Sequence, residues 1–173
     1  VYEVNKGETQ KLYDEWMQKC KELVVHSSLS EFKKSIYDMV NDFEKIELDT
    51  SMKKPKVGIV GEVLIKYHPF GNNFIAKKLE QEGAEVILPD FMGFVKFMAT
   101  HKITFNTLIK TDKYKAKIFK LAIKLIDILE KDERIALANS KKAYLQPCDI
   151  WELEDNVKDI LSIGNQTGEG WFL

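Results

Sequence analysis

The chain has 173 residues, enough for one sizeable core, and its length favours a single domain with appendages over two full domains. Hydrophobic content of 45% and charged content of 31% are those of a folded soluble protein, and a net charge of −1 lacks the concentrated basic surface that nucleic acid or an anionic membrane requires. Cys20 and Cys148 are too few and too far apart for a disulfide framework or structural zinc site, no apolar run nears ~20 residues and no leader opens the chain, so it reads as cytoplasmic.

Val1 to Lys6 carries no pattern beyond a short arm or edge strand. From Thr9, the residues Leu12, Tyr13, Trp16, Met17, Cys20, Leu23 and Val24 recur at three- and four-residue steps, which predicts a helix with one apolar face. Cys20 belongs to that face as a small core residue. Ser28 and Glu31 have capping-box spacing, and Phe32, Ile36, Met39, Val40 and Phe43 form the stripe of a second helix behind them. The connector 49–55 has no period, so the expected organisation is a helical segment over 1–54 followed by an α/β domain over 55–173.

Lys56 to Gly61 is an apolar, β-branched run that reads as a buried parallel strand. Residues 62–73 then form a polar loop, Asn72 to Glu82 a helix closed by Gly83, and Val86 to Leu88 a second strand ending near Asp90. A strand, helix and parallel strand make a right-handed crossover, which puts Glu62 and Asp90 at the same sheet edge, where ligands of open α/β sheets bind. Phe91 to Met98 suits a buried helix with His101 at its carboxyl end, where the helix dipole favours a cation, and 104–111 reads as a connector. The next helix turns Tyr114, Ile118, Leu121, Ala122, Leu125, Ile128 and Leu129 to a core, with Lys113, Lys117, Lys120 and Lys124 as a solvated row. Asp149 caps a last helix through Leu161.

No dinucleotide fingerprint follows the first strand, because about ten residues separate Gly61 from the helix that would have to receive a pyrophosphate. A Walker A lysine-serine or lysine-threonine pair is missing too, and no cysteine spacing suits an iron–sulfur cluster. Glu62 and His68 are candidate acid–base residues, with Asn72 and Asn73 offering amides beside them. The same residues equally describe a capped turn packed on the sheet. The abrupt Trp171-Phe172-Leu173 end predicts a piece of a longer protein.

Lys56-Val57-Gly58-Ile59-Val60-Gly61-Glu62, Lys66-Tyr67-His68-Pro69-Phe70-Gly71-Asn72-Asn73, Glu82-Gly83-Ala84-Glu85-Val86, Pro89-Asp90 and Gly164-Asn165-Gln166-Thr167-Gly168-Glu169-Gly170-Trp171 resemble the acyl-CoA dehydratase activase-related proteins. Tyr2 to Thr9 share the resemblance, which therefore spans the chain. These are large cytoplasmic proteins similar to the 2-hydroxyacyl-CoA dehydratase system, whose activator and dehydratase parts carry [4Fe–4S] clusters. The resemblance implies a parallel-sheet, Rossmann-like dehydratase-type domain with helices on both faces, preceded by the two amphipathic helices and cut short at its carboxyl end. It implies a non-catalytic piece of a CoA-substrate-specific enzyme activase, with Lys66, Tyr67, Pro69, Asn72, Asn73, Asp90, Gly168, Glu169 and Gly170 in a ligand site or domain interface. Expected partners are other domains of the same protein, a dehydratase or an acyl-CoA, with no nucleic acid and no membrane. The cysteine-bearing segment expected after Trp171 is absent, so no cluster ligand and no metal site carries over, and the expected cofactor of this chain is none. The competing expectation is a self-sufficient small enzyme or ligand-binding domain that uses Glu62 and His68.

Overall fold

The computed structural model describes residues 1–110, 112–142 and 144–160. In chain order the elements are α1 (Glu8–His26), α2 (Leu29–Glu44), β1 (Lys56–Gly58), α3 (Val63–Tyr67), α4 (Ile75–Gln81), β2 (Glu85–Ile87), α5 (Phe91–Leu108), α6 (Lys113–Leu129), α7 (Lys131–Ala138) and α8 (Ile150–Val157). The fold is thus mostly helical with a small two-stranded parallel sheet among the described residues. Two compact units divide it. One takes Val1–Lys53 with Leu129–Gln146, the other Lys54–Ile128 with the described residues from 147 onward.

In the first unit α2 packs on α1 and on α7. Ser28 Oγ accepts the Glu31 N–H at 3.3 Å while Glu31 Oε2 accepts the Ser28 N–H at 2.7 Å, the reciprocal pair that the spacing predicted. Of the expected α1 stripe, Trp16 is buried and Leu12, Cys20 and Leu23 half-buried, but Tyr13, Met17 and Val24 are exposed. The segment after α7 belongs here because Lys142 Nζ donates to the carbonyls of Phe43 and Ile46, both at 2.6 Å, at the end of α2. The Phe43 carbonyl also accepts the Ile46 N–H at 3.3 Å, and a cation suits that end of the helix dipole. An antiparallel bridge between Glu3 and Leu48 ties the amino-terminal arm to the chain leaving α2.

In the second unit Lys56, Val57 and Gly58 pair with Glu85, Val86 and Ile87 in parallel. The expected pairing is present, though shorter than the apolar runs suggested. α4 ends at Glu82 in a Schellman motif: Gly83 at φ +90° lets its N–H reach Glu80 O (3.0 Å) and the Ala84 N–H reach Leu79 O (2.9 Å). The core of this unit is made by helices, with Ala99 and Ile103 of α5, Ile123 of α6 and Ile150 of α8 buried together and Phe97, Ala116 and Phe119 packed against them.

Three expectations are corrected here. α5 continues through Leu108, so 104–108 is helix rather than connector and His101 is a buried mid-helix residue instead of one at a helix end. The interior-facing side of α6 is Ala116, Phe119 and Ile123, while Tyr114, Ile118, Leu121, Leu125, Ile128 and Leu129 are exposed. The loop after β1 contains a helix of its own, α3, and the crossover helix starts at Ile75 rather than Asn72.

Candidate functional site

The carboxyl ends of β1 and β2 are where the sequence placed the site, and the local chemistry there is well defined. Gly61 at φ +147° turns the chain out of the sheet. Glu62 then caps α3, its Oε2 accepting the Ile65 N–H at 3.1 Å. His68 follows α3 and its Nδ1 accepts the Gly71 N–H at 2.8 Å. Asn72 makes three bonds: Nδ2 donates to Ile65 O (3.1 Å) and Lys66 O (3.0 Å), and Oδ1 accepts the Ile75 N–H (3.3 Å) as α4 begins. The Pro69 carbonyl accepts the Phe74 N–H at 2.7 Å. Asn73 and Phe74 are both left-handed, at φ 58° and 54°, a conformation that costs a phenylalanine about 1–3 kcal/mol.

Glu62, His68 and Asn73 do not form a bonded cluster. Among the described residues no hydrogen bond or ion pair joins any two of them. What the fold does bring together is Tyr67 and Asp90. The Tyr67 hydroxyl donates to Pro89 O (2.6 Å), with Asp90 O at 3.1 Å, and its ring meets Phe91 edge to face at 5.6 Å. Burial, helped by the Asp90 charge, pushes the Tyr67 phenol above its ordinary range. Lys66 lays its ammonium 4.8 Å from the Tyr67 ring centre.

The Asp90 carboxylate joins two pieces of backbone. It caps α5 by accepting the Gly93 N–H on Oδ1 (2.5 Å), and its Oδ2 accepts the Cys148 N–H (3.1 Å). Cys148 O in turn accepts from Lys96 Nζ at 3.1 Å, and that wholly buried ammonium lies 3.0 Å from Asp127 Oδ1. Lys96 and Cys148 escaped the sequence reading. The signal for the lysine was a cation amid the apolar residues of 91–98; for Cys148 there was none, because its partner is 58 positions away.

His101 is buried between the rings of Phe97 and Phe105, with centroids at 6.4 and 6.2 Å, and neither ring nitrogen has a hydrogen-bond partner among the described residues. Among the described residues no three His, Cys, Asp or Glu side chains are placed to hold a metal ion. An iron–sulfur cluster commonly takes four thiolates; this chain has two, one in each unit, so its residues do not fit that group. Gly168, Glu169 and Gly170 lie outside the described residues. No described helix is long and apolar enough to cross a membrane. The chain matches no protein-family model, no curated protein and no solved structure.

The arrangement at this sheet edge is a scaffold. Its carboxylates, amides and imidazole hold backbone N–H and C=O groups in place, which fixes the loop. Val60, Leu64, Ile65, Phe70 and Phe74 form an apolar set exposed at and beside this loop, alongside the exposed Glu62, His68 and Asn73.

Proposed function

We propose that this chain is a non-catalytic part of a protein related to CoA-substrate-specific enzyme activases and 2-hydroxyacyl-CoA dehydratases, whose Rossmann-like second unit offers loop 62–73 as a contact surface. The contact is with a neighbouring domain or dehydratase partner, and an acyl-CoA is the small molecule that would reach the same edge. One observation carries the reading: Glu62, His68 and Asn72 are bonded to backbone while Leu64, Phe70 and Phe74 are exposed. An exposed apolar set on a rigidly held loop suits docking, since burying it removes apolar area from water with little ordering cost.

The test is amide NMR on the labelled chain, titrated with a 2-hydroxyacyl-CoA dehydratase and, separately, with acetyl-CoA. Shifts confined to 60–75 and abolished by Phe70→Asp, at an unchanged melting temperature, support docking. Turnover of a 2-hydroxyacyl-CoA by the chain alone, lost in Glu62→Gln and His68→Ala, would instead establish the self-sufficient enzyme.

A further inference from the structure

α6 carries a second apolar face that the described residues leave uncovered. Tyr114, Ile118, Leu121, Leu125 and Ile128 follow one another at four, three, four and three residues, and each is more than half exposed. The opposite side, with Ala116, Phe119 and Ile123, supplies the helix's contribution to the core. A 4-3-4-3 apolar series on an exposed helix is the seam of a coiled coil, narrower than the face a globular core requires.

The charges beside the seam select its occupant. In heptad terms Ile118 and Leu125 take a, while Tyr114, Leu121 and Ile128 take d. Lys117 and Lys124 then take g, directly flanking the seam, and Lys113 and Lys120 lie behind them at c. All four lysines are exposed, and among the described residues none makes an ion pair. The other flank, e, holds Lys115, Ala122 and Leu129 and offers no acid. Pairing with a second α6 is therefore disfavoured in both directions: antiparallel helices set g against g, lysine against lysine, and parallel helices set g against an e row without carboxylates. A bilayer is the poorer match because the free lysines line one flank only, whereas interfacial helices surround a broad apolar face with cations.

We infer that the exposed face of α6 docks an acidic amphipathic helix of another protein segment, with Tyr114, Ile118, Leu121, Leu125 and Ile128 forming the seam and Lys117 and Lys124 pairing with its flanking carboxylates. This surface is distinct from loop 62–73 and does not depend on the reading given to that loop.

The probe is a pair of synthetic three-heptad helices with the same Ile/Leu seam, one with Glu and one with Lys at every e and g position. Like charges keep each peptide from pairing with itself. Calorimetry and amide NMR with the whole chain should give binding of the Glu peptide at least about fivefold tighter than the Lys peptide at low salt, a difference that shrinks with added salt, and shifts along α6. The double variant Lys117→Glu, Lys124→Glu should invert the preference. Leu121→Asp with Leu125→Asp should abolish binding of both peptides without lowering the melting temperature, because both side chains are on the solvent side. Equal affinity for the two peptides overturns the inference. So does self-association of the chain that Leu121→Asp removes, or binding to phosphatidylserine vesicles in preference to either peptide.

Discussion

Lys96 Nζ lies 3.0 Å from Asp127 Oδ1, although the lysine is wholly buried and the aspartate side chain is 43% exposed. With Cys148 O at 3.1 Å, the ammonium links α5, α6 and the segment before α8. Lys96→Ala removes these bonds and leaves a void, and is expected to cost about 2–4 kcal/mol. Lys96→Met keeps the volume, and Asp127 is exposed enough to be hydrated, so the expected loss is only ~1 kcal/mol. Urea unfolding of the two variants checks this ordering; a methionine variant as unstable as the alanine variant contradicts it.

Gly93 lies where α5 runs against Cys148. A Cβ at this position would stand 2.9 Å from Cys148 Cβ and 3.2 Å from Asp90 Oδ2. Alanine in a helix normally gains about 1 kcal/mol over glycine, but the overlap costs about 1–3 kcal/mol and involves backbone-anchored atoms. Gly93→Ala is therefore expected to destabilise the second unit and to speed labelling of Cys148 by a thiol reagent. A variant that is more stable, with unchanged labelling, would show that the segment shifts aside freely.

In the first unit, the two Lys142 bonds to Phe43 O and Ile46 O are charge-assisted and close the end of α2. Glu44 accepts from the Ser140 hydroxyl and from the Lys142 N–H, and the Ser140 bond leads in holding its carboxyl below the ordinary range. Lys142→Met is expected to cost about 1–3 kcal/mol, against less than about 0.5 for Lys141→Met on the exposed neighbour. Denaturant melts of the pair provide the comparison.

The features legible in the sequence are those written in local chemistry. Ser28 and Glu31 announced a helix start, Gly83 a helix stop, and the runs at 56–61 and 86–88 a parallel pair. The end of α5 was hidden because polar residues there satisfy themselves inside the helix: Asn106 Nδ2 donates to Lys102 O and Thr107 Oγ1 to Ile103 O. The buried side of α6 was ambiguous because periodicity identifies apolar faces without saying which one meets the core. At the sheet edge, residue types suggested acid–base work, yet Glu62 and His68 have backbone partners three residues away. The same residue types describe a capped turn equally well, and spacing alone does not choose between the two.

Glu3 makes a pH-dependent clasp on the start of α1. Its Oε1 accepts the Gly7 N–H at 2.8 Å and its Oε2 the Thr9 N–H at 2.7 Å. The Gly7 bond first, then the Thr9 bonds, lower the carboxyl from 4.5 to about 2. A depressed folded value means that the unfolded chain binds more protons between those limits, so stability falls as pH drops through that interval. The clasp contributes in full above about pH 4.5 and is lost as pH approaches 2. The original chain should therefore melt above Glu3→Gln at pH 7, with the gap closing between pH 5 and 2. Thermal melts across that range test it, since other carboxylates titrate alike in both proteins and drop out of the difference. A gap that stays constant down to pH 2 would mean that the Glu3 bonds do not depend on its charge.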